Sequence, residues 1–134
     1  MEDLEFLVGN IFYLIIQLDY LYENMSQDVR INYLESIFNL SDLHEIISDL
    51  CNNGLIKTLS ELLKMNLHID VIRLSLKIID KVLKNRALSD SVHRFISVGE
   101  VVAKMNVHKD LESAKLAFHI INLLTLNAKI HSTI

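Results

Sequence analysis

The sequence predicts an all-α fold, a short α-solenoid of about three helical repeats that forms one domain over residues 1–134. Three observations support this prediction. The chain has no proline and only three glycines, too few turn residues for a β-rich fold. Hydrophobic residues make up 51% of the chain and recur with helical periodicity. A short segment also recurs about 40 residues later, between predicted helices in both copies.

Helical periodicity and local stop signals divide the chain into seven helices. They cover residues 3–23, 27–40, 41 or 42 to 52, 55–65, 70–84, from 89 or 90 to a break near 97–99, and 110–127. Ser26 precedes the second helix, and its hydroxyl can accept a hydrogen bond from a first-turn amide. Asn52, Asn53 and Gly54 end the third, because Asn and Gly tolerate the left-handed backbone conformation. No Gly-, Ser- or Pro-rich linker indicates a domain boundary.

A recurring segment orders these helices into repeats. Residues 64–70 read KMNLHID and residues 104–110 read KMNVHKD, so five of the seven positions are identical. The step continues towards the N-terminus, since the aspartates that begin the equivalent helices are Asp28, Asp70 and Asp110. A steady step of 40 to 42 residues, in phase with predicted helices, indicates repeats at approximately residues 1–41, 42–84 and 85–127.

This pattern resembles the armadillo-repeat family, and HEAT repeats have a similar period. The best copy is residues 42–84, in which a short helix is followed by Gly54 and two longer helices. The resemblance covers most of the chain, although the N-terminal repeat lacks a clear first helix. It implies a right-handed superhelix in which the third helix of each repeat lines a slightly concave surface.

The third helix of the middle repeat has the most pronounced charge pattern. Its cations lie opposite its apolar positions, with one acid, Asp80, among them; they are Arg73, Lys77, Lys81 and Lys84. We predict that this face binds an acidic peptide or an acidic protein surface. The alternative interpretation is a solvated helix face that binds no partner.

The resemblance implies two further candidate residues. Armadillo proteins similar to importin-α have an Asn near the end of the third helix, which holds the backbone of an extended peptide. Asn39 and Asn122 match that position, whereas the middle repeat has Lys81 there. The Trp that accompanies this Asn is absent from the whole chain. Import-style recognition of basic signals is therefore not expected.

The sequence predicts no catalytic, metal or cofactor site. None of the six histidines pairs with another at helical i, i+4 spacing, and a single cysteine cannot anchor a zinc cluster. His44 and Cys51 are two helical turns apart, too far for the hydrogen bond that activates a nucleophile. His68 and His108 are expected in surface loops, one repeat apart. The isolated glycines do not form a phosphate-binding loop.

Charge and hydropathy narrow the classes of partner. The net charge is −4 and the cations are scattered among acids, so no nucleic-acid surface is expected. The most apolar segment, residues 6–18, is too short to span a bilayer and is followed by Asp19. The single Cys51 indicates a reducing intracellular compartment, the cytoplasm or the nucleus.

Together these features predict a non-enzymatic protein–protein interaction module, an adaptor or scaffold that binds a peptide or helical partner. Both terminal helices, residues 3–23 and 110–127, are apolar on several faces, which favours a homodimer, a partner that covers an end, or a longer solenoid of which this chain is a piece. The alternative is a compact helical-bundle regulator, similar to Bcl-2-like proteins, with one hydrophobic groove. It predicts a central helix surrounded by others, without similarity between residues 54–84 and 94–124. A third hypothesis, a small helical enzyme, needs converging polar groups that the sequence does not show.

Overall fold

A computed structural model describes residues 26–65, 68–85, 87–96, 101 and 111–132. Within these residues the chain is all-helical and contains no strand, as the sequence predicts. The helices are α1 (Gln27–Leu40), α2 (His44–Asn52), α3 (Leu55–Lys64), α4 (Ile69–Lys84), α5 (Ser89–Phe95) and α6 (Leu111–Ser132). The predicted first helix, residues 3–23, and the predicted break near residues 97–99 lie outside the described residues.

Local chemistry explains where several helices begin and end. The Ser26 hydroxyl accepts a hydrogen bond from the Val29 amide at 3.4 Å, which confirms the predicted start of α1. Helix α2 ends at Asn52, and Gly54 then adopts the predicted left-handed conformation, with φ of 98°. Helix α2 begins slightly later than predicted, since Ser41 caps α1 by donating its amide hydrogen to the Phe38 carbonyl. Helix α6 continues beyond the predicted end at residue 127.

Substitution of Gly54 tests the junction between α2 and α3. A Cβ added at Gly54 would meet no atom within 4 Å, so only the backbone conformation resists a side chain there. We expect Gly54→Ala to lower the free energy of unfolding by about 1–2 kcal/mol. Gly54→Asn is expected to lower it less, because Asn tolerates the left-handed region. Urea denaturation would measure both values, and equal stability of Gly54→Ala and the wild type would contradict the prediction.

Helix α4 lies at the centre of the described core. It packs most extensively against α6 and α1, and it also contacts α3 and α5. A helix with neighbours on several sides must bury most of its circumference. The buried positions of α4 are Val71, Ile72, Ser75, Leu76, Ile78, Ile79, Asp80, Val82 and Leu83.

Helices α4 and α6 run parallel to each other. Two contacts between them, Arg73 with Glu112 and Asp80 with His119, both join residues that are 39 positions apart. In an antiparallel pair, moving one residue along the interface changes the sequence separation between the contacting residues by two. A third contact, Lys77 with Glu112, joins residues 35 positions apart. The separation therefore changes little over two helical turns, which establishes a parallel pair offset by about one predicted repeat.

Helices α1 and α4 are parallel as well. At one end, Lys81 bonds to the Phe38 carbonyl and to Asp42, at separations of 43 and 39 residues. Nearer the start of both helices, Ile31 and Arg73 line the same groove. Helix α4 is thus flanked by two parallel neighbours, α1 and α6.

The described helices include none that combines the length and apolar character needed to cross a bilayer.

Candidate functional site

A carboxylate from α6 bridges two of the cations that the sequence predicts to bind a partner. Lys77 Nζ lies 3.1 Å from Glu112 Oε1, and Arg73 Nε lies 3.6 Å from Glu112 Oε2. Arg73 Nη1 also lies 3.5 Å from Asp70 Oδ1 within the first turn of α4. The Glu112 side chain is 50% exposed, so solvent screens these pairs. They orient the side chains while adding little to stability.

Lys81 belongs to a cluster between α1 and α4. Its Nζ lies 3.0 Å from Asp42 Oδ1 and donates a hydrogen bond to the Phe38 carbonyl at 3.4 Å. The same ammonium group is 4.0 Å from the centroid of the Phe38 ring, and Lys77 Nζ is 6.0 Å from that centroid. The negative face of an aromatic ring attracts cations at such distances. Phe38 therefore helps to position both lysines.

Asp80, the one acid among these cations, joins α6 to α4. It is buried, with 7% of its surface exposed. Its Oδ2 lies 3.0 Å from Lys84 Nζ, and its Oδ1 lies 2.5 Å from His119 Nδ1. A carboxylate removed from water needs such partners, because an unpaired buried charge is costly. All four predicted cations thus have a carboxylate partner within the chain.

A groove lies between α1 and α4, beside the Glu112 bridge. Its lining residues are Ile31, Glu35, Asp70, Arg73, Leu74, Lys77 and Glu112. Three are carboxylates, two are cations, and two are half-buried apolar side chains. The groove is therefore of mixed charge, less basic than the isolated α4 sequence indicates.

The two candidate asparagines are exposed on the helices that flank α4. Asn39 lies near the end of α1, and Asn122 lies in the middle of α6. Contacts between the parallel helices join residues 35 to 43 positions apart, and Lys81 is 42 positions from Asn39 and 41 from Asn122. Lys81 is already engaged by Phe38 and Asp42.

Helix α6 also exposes large apolar side chains. Leu111 is 70% exposed and Phe118 is 60% exposed, and they lie two turns apart on one face of the helix. This agrees with the expected apolar character of the C-terminal end, whereas the N-terminal apolar helix lies outside the described residues.

Cys51, His44 and His68 each lie in different surroundings. Burial raises the pKa of the half-buried Cys51 thiol from 9.0 to about 11. His44 Nδ1 lies 2.8 Å from the Asn85 side-chain amide. His68 is exposed and accepts a hydrogen bond from the Asp70 amide at 3.2 Å, as the N-cap of α4. Among the described residues, no group of three or more His, Cys, Asp or Glu side chains could hold a metal ion.

Sequence reasoning missed the residues that pair with the α4 cations from other helices. Those residues are Phe38, Asp42 and Glu112, and His119 likewise pairs with Asp80, the acid among them. The predicted step of 40 to 42 residues places Ser113, Ala114 or Lys115 opposite Arg73, and none of these is acidic. The observed offset of 39 residues brings Glu112 there instead.

Comparison of the chain with protein-family models, with curated proteins and with solved structures finds no match.

Proposed function

We propose that the chain is a non-enzymatic protein-interaction module, a short right-handed α-solenoid of about three armadillo- or HEAT-like repeats. The parallel arrangement of α1, α4 and α6, with contacts 35 to 43 residues apart, carries this proposal. Stacked repeats place equivalent helices side by side in parallel. Bundles with short loops instead make sequence neighbours antiparallel.

In this arrangement, α1 is the last helix of a first repeat at residues 1–41. Helices α2, α3 and α4 form the second repeat, residues 42–84, and α5 and most of α6 belong to the third, residues 85–127. The surface formed by α1, α4 and α6 is the concave surface of the module. It contains the candidate groove, and the exposed Asn39 and Asn122 lie on two of its helices.

A compact bundle of the Bcl-2-like kind remains the second candidate, because α4 contacts four other helices, as a central bundle helix would. The two architectures differ in translational symmetry. In the solenoid, an experimental structure would superpose residues 54–84 on 94–124 by a single regular step. A bundle has no such step, and failure of the superposition would contradict the repeat proposal.

The proposed partner is a protein that presents a peptide or a helix with acidic character. The ion pairs on α4 are solvent-accessible, so a partner can compete for the cations without disrupting the core. The exposed Leu111 and Phe118 offer a second contact region for a homodimer or an end-covering partner. The single Cys51 supports an intracellular location, cytoplasmic or nuclear.

The basic face is tested by the variant Arg73→Glu/Lys77→Glu. We expect it to weaken binding of an acidic partner by on the order of tenfold or more, since attraction becomes repulsion. Quantitative affinity purification would identify the partner, and titration of purified components would measure the loss. The matched control is Lys57→Glu/Lys64→Glu, which makes the same charge change at exposed positions of α3.

Charge reversal also places carboxylates beside Glu112 and Asp70, so a milder variant is needed. Arg73→Gln/Lys77→Gln removes both positive charges without adding negative ones. Circular dichroism would show that each variant is folded. If folded variants retain every partner with unchanged affinity, the basic face is not the binding surface.

A further inference from the structure

We propose that Glu112 occupies the position at which a carboxylate of a partner peptide binds. The first turn of α6 would then act as an internal competitor for the groove between α1 and α4. This inference rests on the proposed interaction function and specifies the chemistry and regulation of the same surface.

The geometry around Glu112 is that of a carboxylate-binding site. Its two oxygens contact two cations that lie one helical turn apart on α4, at 3.1 Å from Lys77 and 3.6 Å from Arg73. Paired contacts from two donors to one carboxylate provide geometric specificity as well as attraction. An Asp or Glu side chain from a partner could make the same two contacts.

The cations keep other contacts that do not depend on Glu112. Asp70 lies 3.5 Å from Arg73, and the Phe38 ring lies near Lys77 on the α1 side. When Glu112 swings into solvent, both cations therefore remain on the wall of the groove. A site that is already arranged requires little ordering when a ligand enters.

Displacement of Glu112 also leaves α6 attached. The helix packs through Ala117, Ile120 and Leu124, which are buried in the core. Two turns after Glu112, His119 bonds to the buried Asp80. The half-exposed Glu112 side chain can therefore leave without separation of the two helices.

The rest of the groove limits the kind of peptide that fits. Ile31 and Leu74 provide apolar surface beside the cations. Glu35 and Asp70 line the same groove and would repel a run of acidic residues. The occupant is therefore a peptide with one carboxylate next to an apolar side chain, and a polyacidic segment is disfavoured. This is a narrower class of partner than the acidic peptide or acidic surface that the α4 sequence alone predicts.

Selection from a library of random short peptides would test this inference on the full chain. The wild type, Glu112→Gln and Arg73→Gln/Lys77→Gln would be screened in parallel. The matched control is Glu45→Gln, which also removes an exposed carboxylate from the first turn of a helix, α2. Selected peptides would then be synthesised, and their affinities measured by fluorescence polarisation.

We expect Glu112→Gln to select peptides with Asp or Glu beside Leu, Ile or Phe. Such a peptide should bind Glu112→Gln on the order of tenfold tighter than the wild type or Glu45→Gln, because the internal competitor is gone. Replacing the carboxylate of the peptide with an amide, or using Arg73→Gln/Lys77→Gln, should remove that gain.

Two other results would distinguish failure of this inference from failure of the proposed function. If the selected peptides bind all four proteins equally, Glu112 is not a competitor, while the chain still acts as an interaction module. If no peptide is selected by any of the proteins, the peptide-binding function and this inference both fail.

Discussion

Truncation of Leu76 to alanine is expected to lower the free energy of unfolding by about 2–5 kcal/mol. Leu76 has no exposed surface and lies on α4, the helix that contacts α1, α3, α5 and α6. Removing the isopropyl group of Leu76 leaves a cavity where several helices meet, and these helices cannot all move to fill it. Urea denaturation followed by circular dichroism would measure the loss.

The matched control is the same truncation at Leu111, which is 70% exposed on α6. Leu111→Ala is expected to change the free energy of unfolding by less than about 0.5 kcal/mol, because its side chain is already largely in water. Similar losses for the two variants would contradict the central position of α4 in the core.

Cys51 is expected to react with thiol reagents about a hundredfold more slowly in the native chain than in the denatured chain. Burial raises the pKa of this thiol from 9.0 to about 11, so the reactive thiolate is scarce at any pH below 9.0. Alkylation by iodoacetamide, with and without urea, would measure the two rates. Since Cys51 is the only cysteine, Cys51→Ser provides the unlabelled control.

The same shift predicts how stability depends on pH. Between pH 9.0 and about 11 the unfolded chain loses the Cys51 proton while the folded chain retains it. The unfolded state then binds fewer protons, so this group lowers the free energy of unfolding as pH rises through that window. Below pH 9.0 the thiol is protonated in both states, so it does not make the free energy of unfolding depend on pH.

Both predictions depend on the burial of Cys51. In the alkylation experiment, equal rates in the native and denatured chains would show that the thiol is not shielded.

Much of the helical organisation was predictable because its causes are local. Ser26 caps α1 as predicted, and Gly54 ends the preceding segment in the left-handed conformation. Both effects depend on residues within one turn of each other. The apolar periodicity of α4 likewise predicted most of its buried positions, whereas Asp80, which the pattern placed among the cations, is buried.

The composition of the candidate surface was less predictable. The sequence places Arg73 and Lys77 on one side of α4, and the structure confirms that they share a surface. Periodicity within one helix cannot show which side chains approach from a neighbouring helix. Glu112 reaches these cations from α6, and its presence changes a basic face into a mixed-charge groove.

By itself, the sequence determined the helical class, the main helix boundaries in the described residues and the sidedness of α4. These properties arise from hydrogen bonds and apolar spacing within a few turns of one helix. The tertiary structure alone decided that α1 and α6 flank α4 in parallel, and that Glu112 and Asp42 neutralise its cations. Those pairs depend on the packing distance and axial offset of helices about 40 residues apart, and no local pattern specifies either quantity.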